Sequence, residues 1–143
     1  MSTKLVDGVR RDLNSNEQAA FDANNALYNS LVKTKVRKVV STADIAKRKR
    51  DAGVTVNDLH VATDPDGRSL LFGAKQGGKA SRKIVTKTGR AILTKAQVEA
   101  LATAVDDYLQ AIFDNQYDLG EAIEGAADQA ALDAIDINAG WPS

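Results

Sequence analysis

Residues 93–123 read LTKAQVEALATAVDDYLQAIFDNQYDLGEAI. Thr94 and Gln97 stand three apart, as a capping box requires, and Leu93 with Val98 supplies the matching hydrophobic staple. Beyond them Val98, Val105, Ile112 and Leu119 recur every seven residues, and Ala102, Leu109, Gln116 and Ile123 form a second file beside the first. Gln116 interrupts that second file, while Tyr108 and Phe113 widen the face. Two apolar files on one side over nearly four heptads predict a long helix built for antiparallel packing or a short coiled coil.

Upstream, Lys83-Ile84-Val85-Thr86 and Arg90-Ala91-Ile92-Leu93 fit a hairpin around Thr88-Gly89. Before it, Thr63-Asp64-Pro65-Asp66 is a helix-start signal with proline in the first turn. The helix predicted from Arg68 to about Lys75 buries Leu70 and Leu71, with Phe72 as a further candidate, and stops at Gly77-Gly78. Val54-Thr55-Val56 and Leu59-His60-Val61-Ala62 flank Asn57-Asp58 as another tight hairpin. Further back lies a helix from Asn14 or Ser15, with Glu17 in capping-box position and Ala20, Phe21, Leu27, Tyr28, Leu31, Val32, Val36 and Val39 along one stripe. Ser41 either caps a second helix or marks a bend, since Val39-Val40-Ser41-Thr42 are weak helix formers. The basic stretch to Ala52 is helical in composition and stops at Gly53. At the N-terminus, residues 4–11 read as a strand or hairpin turning at Asp7-Gly8. Downstream, a short helix from about Asp128 to Ile135 precedes Gly140-Trp141-Pro142.

These elements define a helix-dominated α+β fold. An N-terminal strand, turn and helical arm (residues 1–52) precede a compact unit (53–143) of two hairpins and an antiparallel helical pair ending in a C-terminal helical hairpin.

The 143 residues carry 19 basic and 19 acidic side chains, but the balance is an artefact of summing. Residues 1–95 hold every Lys and Arg and 9 acids, a net +10, and residues 96–143 hold 10 acids and no base, a net −10. With no cysteine, disulfide scaffolds, thiolate metal sites and cysteine nucleophiles are excluded. One histidine, His60, cannot build a multi-histidine centre. No apolar run approaches a membrane span, and Met1 to Arg11 is charged where a secretory signal needs its apolar stretch. Alanine supplies much of the apolar content, favouring helices with small contact faces whose stability draws on neighbouring chains.

Several apparent motifs dissolve on their chemistry. Gly73 to Lys79 matches G-x-x-x-x-G-K, but Ala80 stands where a phosphate loop places its magnesium-binding hydroxyl, and the segment leaves a helix instead of a strand. Asp64-Pro65-Asp66-Gly67 lacks the third oxygen ligand and terminal glutamate of a calcium loop, so a helix cap is the better reading. His60 sits in a hairpin with no partner that would make it a general base. Asp106-Asp107, Glu121 and Glu124 lie on a polar helix face, where carboxylates are ordinarily solvated. No catalytic set, metal site or cofactor is assigned. Two basic clusters stand out: Lys33, Lys35, Arg37 and Lys38 with Lys47, Arg48, Lys49 and Arg50; and Lys75, Lys79, Arg82, Lys83, Lys87 and Arg90. They suit phosphate neutralisation, yet neither interleaves the aromatics used for base stacking. Charge complementarity within an assembly ranks above nucleic acid.

The order of motifs resembles small bacteriophage proteins, associated with tail fibres and tail assembly, that carry a phage domain of unknown function. The residues that carry the likeness are Asp7-Gly8 with Asn14-Ser15-Asn16-Glu17; Arg50 to Asn57 (basic helix into Gly-Val-Thr-Val-Asn); Arg68-Ser69-Leu70-Leu71; and Gly89 and Leu93-Thr94 leading into Val98 to Ile123. The ending, Ala131-Leu132-Asp133-Ala134-Ile135-Asp136 with Gly140-Trp141-Pro142, is also similar to tail-fibre assembly proteins. The resemblance covers residues 50–142 well and 5–25 loosely, and brings no catalytic residues onto this chain. It implies a non-enzymatic structural component of the virion, a tail- or baseplate-associated adaptor or linker for tail fibres, present in the host cytoplasm during assembly. Its partners would be other tail proteins (fibre, baseplate or tube components) and further copies of itself, with no membrane involved. The alternatives are a tail-fibre assembly chaperone absent from the mature particle, and a DNA-binding protein using the basic clusters. The contact residues expected are Phe21, Tyr28, Leu31, Val32 and Val36 on the arm and Lys47, Arg48, Lys49 and Arg50 at its basic end. Trp141 is either a terminal anchor for a partner or a plug on its own core.

Overall fold

Asn14 starts a helix of 38 residues, α1 (Ser15–Ala52), that spans about 57 Å. Its side chain accepts from Glu17 N at 2.9 Å, and the Glu17 carboxylate accepts from Asn14 N at 3.0 Å, the reciprocal bonds of a capping box. The computed structural model describes residues 3–6 and 9–143. Ahead of α1, β1 (Thr3–Val6) and β2 (Val9–Asp12) pair antiparallel; the turn expected at Asp7-Gly8 lies outside the described residues. Ser41-Thr42 neither starts a second helix nor ends the first. Thr42 is buried and its hydroxyl donates back to Lys38 O at 2.9 Å, so packing carries α1 through a stretch of weak helix formers.

Gly53 ends α1 with φ +86°, and a Cβ there would lie 2.6 Å from His60 Nε2 and 2.7 Å from Val61 O. Only glycine accepts both the left-handed backbone and the close approach. The chain then forms β3 (Val54–Val56) and β4 (Leu59–Val61), an antiparallel hairpin whose turn residues Asn57 and Asp58 both have positive φ. That is the primed turn that matches strand twist. Next, α2 (Pro65–Gln76) is capped by Asp64, whose carboxylate accepts from Gly67 N at 2.8 Å. β5 (Ser81–Thr86) and β6 (Gly89–Thr94) form a third hairpin, tied to α3 (Lys95–Gly125) by the Thr94–Gln97 capping box. α4 (Gln129–Asp133) is one short turn of helix, capped by Asp128.

The predicted files on α3 face the core. Val98, Val105, Ile112, Ala102 and Leu109 are buried there, with Leu101 and Tyr108 beside them. The helix lying along α3 is α1, the arm itself, and not a C-terminal helix. Lys49 O accepts from Tyr108 Oη while Lys35 Nζ donates to Glu124 O, so the two helices run in opposite directions. Ala46 of α1 is buried in the same cluster as Val61, Leu71 and Leu93. The packed unit therefore takes in the last part of α1, across the sequence-based boundary at residue 52. A second cluster, Ile123, Ala126 and Leu132, seats α4 against Leu31, Ile135 and Ile137. Residues 19–30 of α1 are exposed throughout and extend beyond both clusters. Leu70, expected in the core, is 77% exposed: one residue turns a helix by 100°, so burying Leu71 carries Leu70 off the contact face. No described helix is long and apolar enough to cross a membrane.

Candidate functional site

Helical spacing places Phe21, Tyr28, Val32 and Val36 on one face of α1, and they are 45%, 67%, 41% and 58% exposed. Val39 and Val40 continue the exposed stripe toward the core. Apolar side chains in a row at helical spacing, left in water, mark an interaction surface more often than isolated exposed ones do. Leu31 departs from the expected set. It lies at the edge of the stripe and is half-buried against the cluster of Ile123, Ala126 and Leu132, so it anchors the arm to its own chain.

The basic end of α1 is partly occupied within the chain. Lys47 pairs with Asp51 at 2.6 Å, and that hydrogen bond holds the Asp51 carboxyl below its usual range. The Arg50 guanidinium lies 5.3 Å from the centroid of the Phe113 ring. Lys49 Nζ donates to Pro142 O at 3.2 Å. Arg48 is exposed. Lys35 and Lys38 likewise serve the acidic third of the chain through its backbone: Lys35 reaches Glu124 O at 2.8 Å, and Lys38 donates to Leu132 O and Ile135 O, completing the carbonyls at the end of α4. No ion pair joins α1 to α3 among the described residues; Asp106, Asp107, Asp114, Asp118, Glu121 and Glu124 face solvent. The negative half of the charge split thus remains on the surface.

Trp141 is a plug. It packs on the main core cluster and its Nε1 donates to Ile137 O at 2.9 Å. Gly140 beside it has φ +79°, and a side chain there would run into Asn115, whose amide donates to Ala139 O at 3.0 Å. The ring is partly buried on its own core, as the plug reading expects.

Tyr108 links these parts, donating to Lys49 O at 2.9 Å from a buried position that pushes its phenol above the ordinary value of 10. A raised folded-state value means the stabilisation is complete below pH 10 and is lost as pH climbs through the raised value, where an ionised phenol can no longer donate. Urea unfolding of the wild type and Tyr108→Phe should therefore differ by about 1 kcal/mol at pH 8. That gap should close or reverse toward pH 11. A gap that stays constant with pH would show that the phenol proton plays no part.

A second surface arises where no motif pointed. β4, α2 and β5 enclose a cleft of about 400 Å³ with an apolar floor that includes Leu71 and Leu101. Leu70 and Val85, each 77% exposed, stand among its lining. Its charged side chains are Arg82, Lys83 and Lys87, joined by His60, and no carboxylate lines it. The sequence does carry a signal for it: between Asp66 and Glu99 there is no acid at all, and eight Lys or Arg. Among the described residues, no group of three or more His, Asp or Glu side chains is placed to hold a metal ion.

A helix-dominated α+β scaffold with one free apolar helix face and one basic cleft is the class of protein these features define. The chain belongs to the family described as Domain of unknown function (DUF4376), which matches residues 33–139. The match begins two residues past Leu31, where α1 reaches its own core, and includes the cleft, α3 and α4. No curated protein and no solved structure matches the chain.

Proposed function

We propose that this chain is a non-enzymatic structural adaptor that joins larger protein assemblies, and that the assembly is a bacteriophage tail in which it links tail fibres. The observation that carries the adaptor reading is the exposed stripe Phe21, Tyr28, Val32 and Val36 on a helix that extends beyond its own core. Partner helices of tail proteins, or of further copies of the chain, bury that stripe, and the exposed acids of α3 steer the encounter. The tail assignment rests on the resemblance of residues 50–142 to tail-fibre-associated phage proteins.

Sedimentation of the purified protein tests the first part. The wild type should self-associate or bind tail-fibre protein in a salt-sensitive way, and Val32→Glu with Val36→Glu should weaken that at least tenfold while leaving the circular dichroism unchanged. An indifferent double variant removes the stripe from the mechanism. Mass spectrometry of purified virions tests the second part. Presence in fixed copy number supports the adaptor; absence moves the reading to an assembly chaperone that leaves before maturation.

A further inference from the structure

The cleft between the second and third hairpins is built along a strand edge, not merely over a sheet face. If it met only one face of β5, alternate residues would line it; instead every residue from 82 to 87 does. The pairing register explains why. Thr86 and Gly89 close the two-residue turn of β5 and β6, so Thr86, Ile84 and Arg82 bond inward to β6. Lys95 N donating to Ala80 O at 3.1 Å keeps the same alternation at the far end. The N–H and C=O of Lys83 and Val85 consequently point away from β6, and β6 contributes nothing to the cleft.

Across the cleft β4 offers an edge of the same kind. Its turn at Asn57-Asp58 sets Val56 and Leu59 as the closing pair, which turns the His60 backbone outward. The His60 N–H is taken by Thr88 Oγ1 at 3.0 Å, tying the two hairpins together at that point. Neither β4 nor β5 has a second strand partner among the described residues. Beyond that junction the outward groups of Lys83 and Val85 have no strand partner among the described residues and lie along the apolar-floored cleft.

The chemistry of the lining selects the occupant. Three cations and no anion favour a segment bearing carboxylates, and Leu71, Leu101, Leu70 and Val85 favour apolar side chains between them. We infer that the free edge of β5 binds an extended peptide segment of a partner protein, with alternating apolar and acidic residues, as an added antiparallel or parallel strand. The backbone of Lys83 and Val85 supplies the strand bonds, and Lys83 and Lys87, spaced for one face of the strand, supply the selectivity for acids. The cleft is formed without the α1 stripe, and the inference does not depend on it.

The probe is a fluorescein-labelled eight-residue peptide of alternating valine and glutamate, titrated into the full chain at low salt. Saturable binding is expected, with amide exchange slowed at Lys83 and Val85. The valine–lysine counterpart and a labelled oligothymidylate should bind at least tenfold more weakly. Val85→Pro removes an outward N–H without touching a bond to β6 and should lower affinity at least tenfold, as proline does on an edge strand. Lys83→Glu with Lys87→Glu should do the same and flatten the salt dependence, and it decides the matter if Val85→Pro does not fold. No saturation by about 1 mM peptide, tighter binding of the oligothymidylate, or folded variants that bind within twofold of the wild type would each overturn the inference.

Discussion

Ile112→Ala lowers the unfolding free energy by about 2–5 kcal/mol, the range for removing a fully buried branched side chain from a packed core. Ile112 has no exposed surface and belongs to the cluster in which α3 meets Ala46 of α1 and the two later hairpins. Its neighbours in that cluster come from several elements, so little can collapse into the space without moving a helix. Against a total stability of about 5–15 kcal/mol, a loss of this size is a large fraction of what holds the fold. Urea melts should show a lower midpoint with an unchanged slope. Val36→Ala is the natural control. It removes an aliphatic side chain from a helix in the same chain, but one in water, and should move stability by less than about 0.5 kcal/mol. Equal effects at the two positions would mean that the α1–α3 seam is not the core.

Ile112 and Val36 also show where the sequence was legible. Both lie in apolar stripes at helical spacing, and spacing alone cannot say which stripe finds a partner inside the chain. The capping boxes at Asn14 and Thr94, the turn at Asn57-Asp58 and the cap at Asp64 are local, determined by residues three or four apart, and the structure has each of them. The heptad files of α3 likewise announce a buried face. What pairs with that face depends on contacts between residues such as 35 and 124, and the sequence-based reading set α3 against a C-terminal helix where the structure sets it against α1. The lysines of α1 were legible as charge, yet three of them act as donors to backbone carbonyls, a role that leaves no pattern in side-chain types. The cleft was the least visible feature. Each hairpin is encoded separately, and the space between two hairpins belongs to neither.

Leu132→Ala carries the second large effect, and it divides differently. Leu132 is fully buried, so the lost contacts and the cavity are again about 2–5 kcal/mol. Its cluster, however, is separate from the main one and holds only the terminal segment, α4 and the residues after it, against Leu31 and the end of α3. That segment is otherwise fixed by discrete tethers: Lys38 on the carbonyls of Leu132 and Ile135, Asn115 on Ala139, Lys49 on Pro142, and the Trp141 plug. A unit held this way can release while the main core persists, and a destabilisation within it then appears as local opening rather than global unfolding. Amide exchange should report the full cost at Leu132 and Ala134, whose N–H groups bond to Asp128 O and Ala130 O at 3.1 Å. At about 1.4 kcal/mol per tenfold, exchange there should quicken by roughly thirtyfold to several thousandfold. The global urea midpoint should fall by clearly less than it does for Ile112→Ala. A midpoint that drops by the whole amount, with exchange at Leu132 and at Val105 accelerating together, would instead make the two clusters one cooperative unit, with the C-terminal segment an integral part of the core that α1 and α3 build.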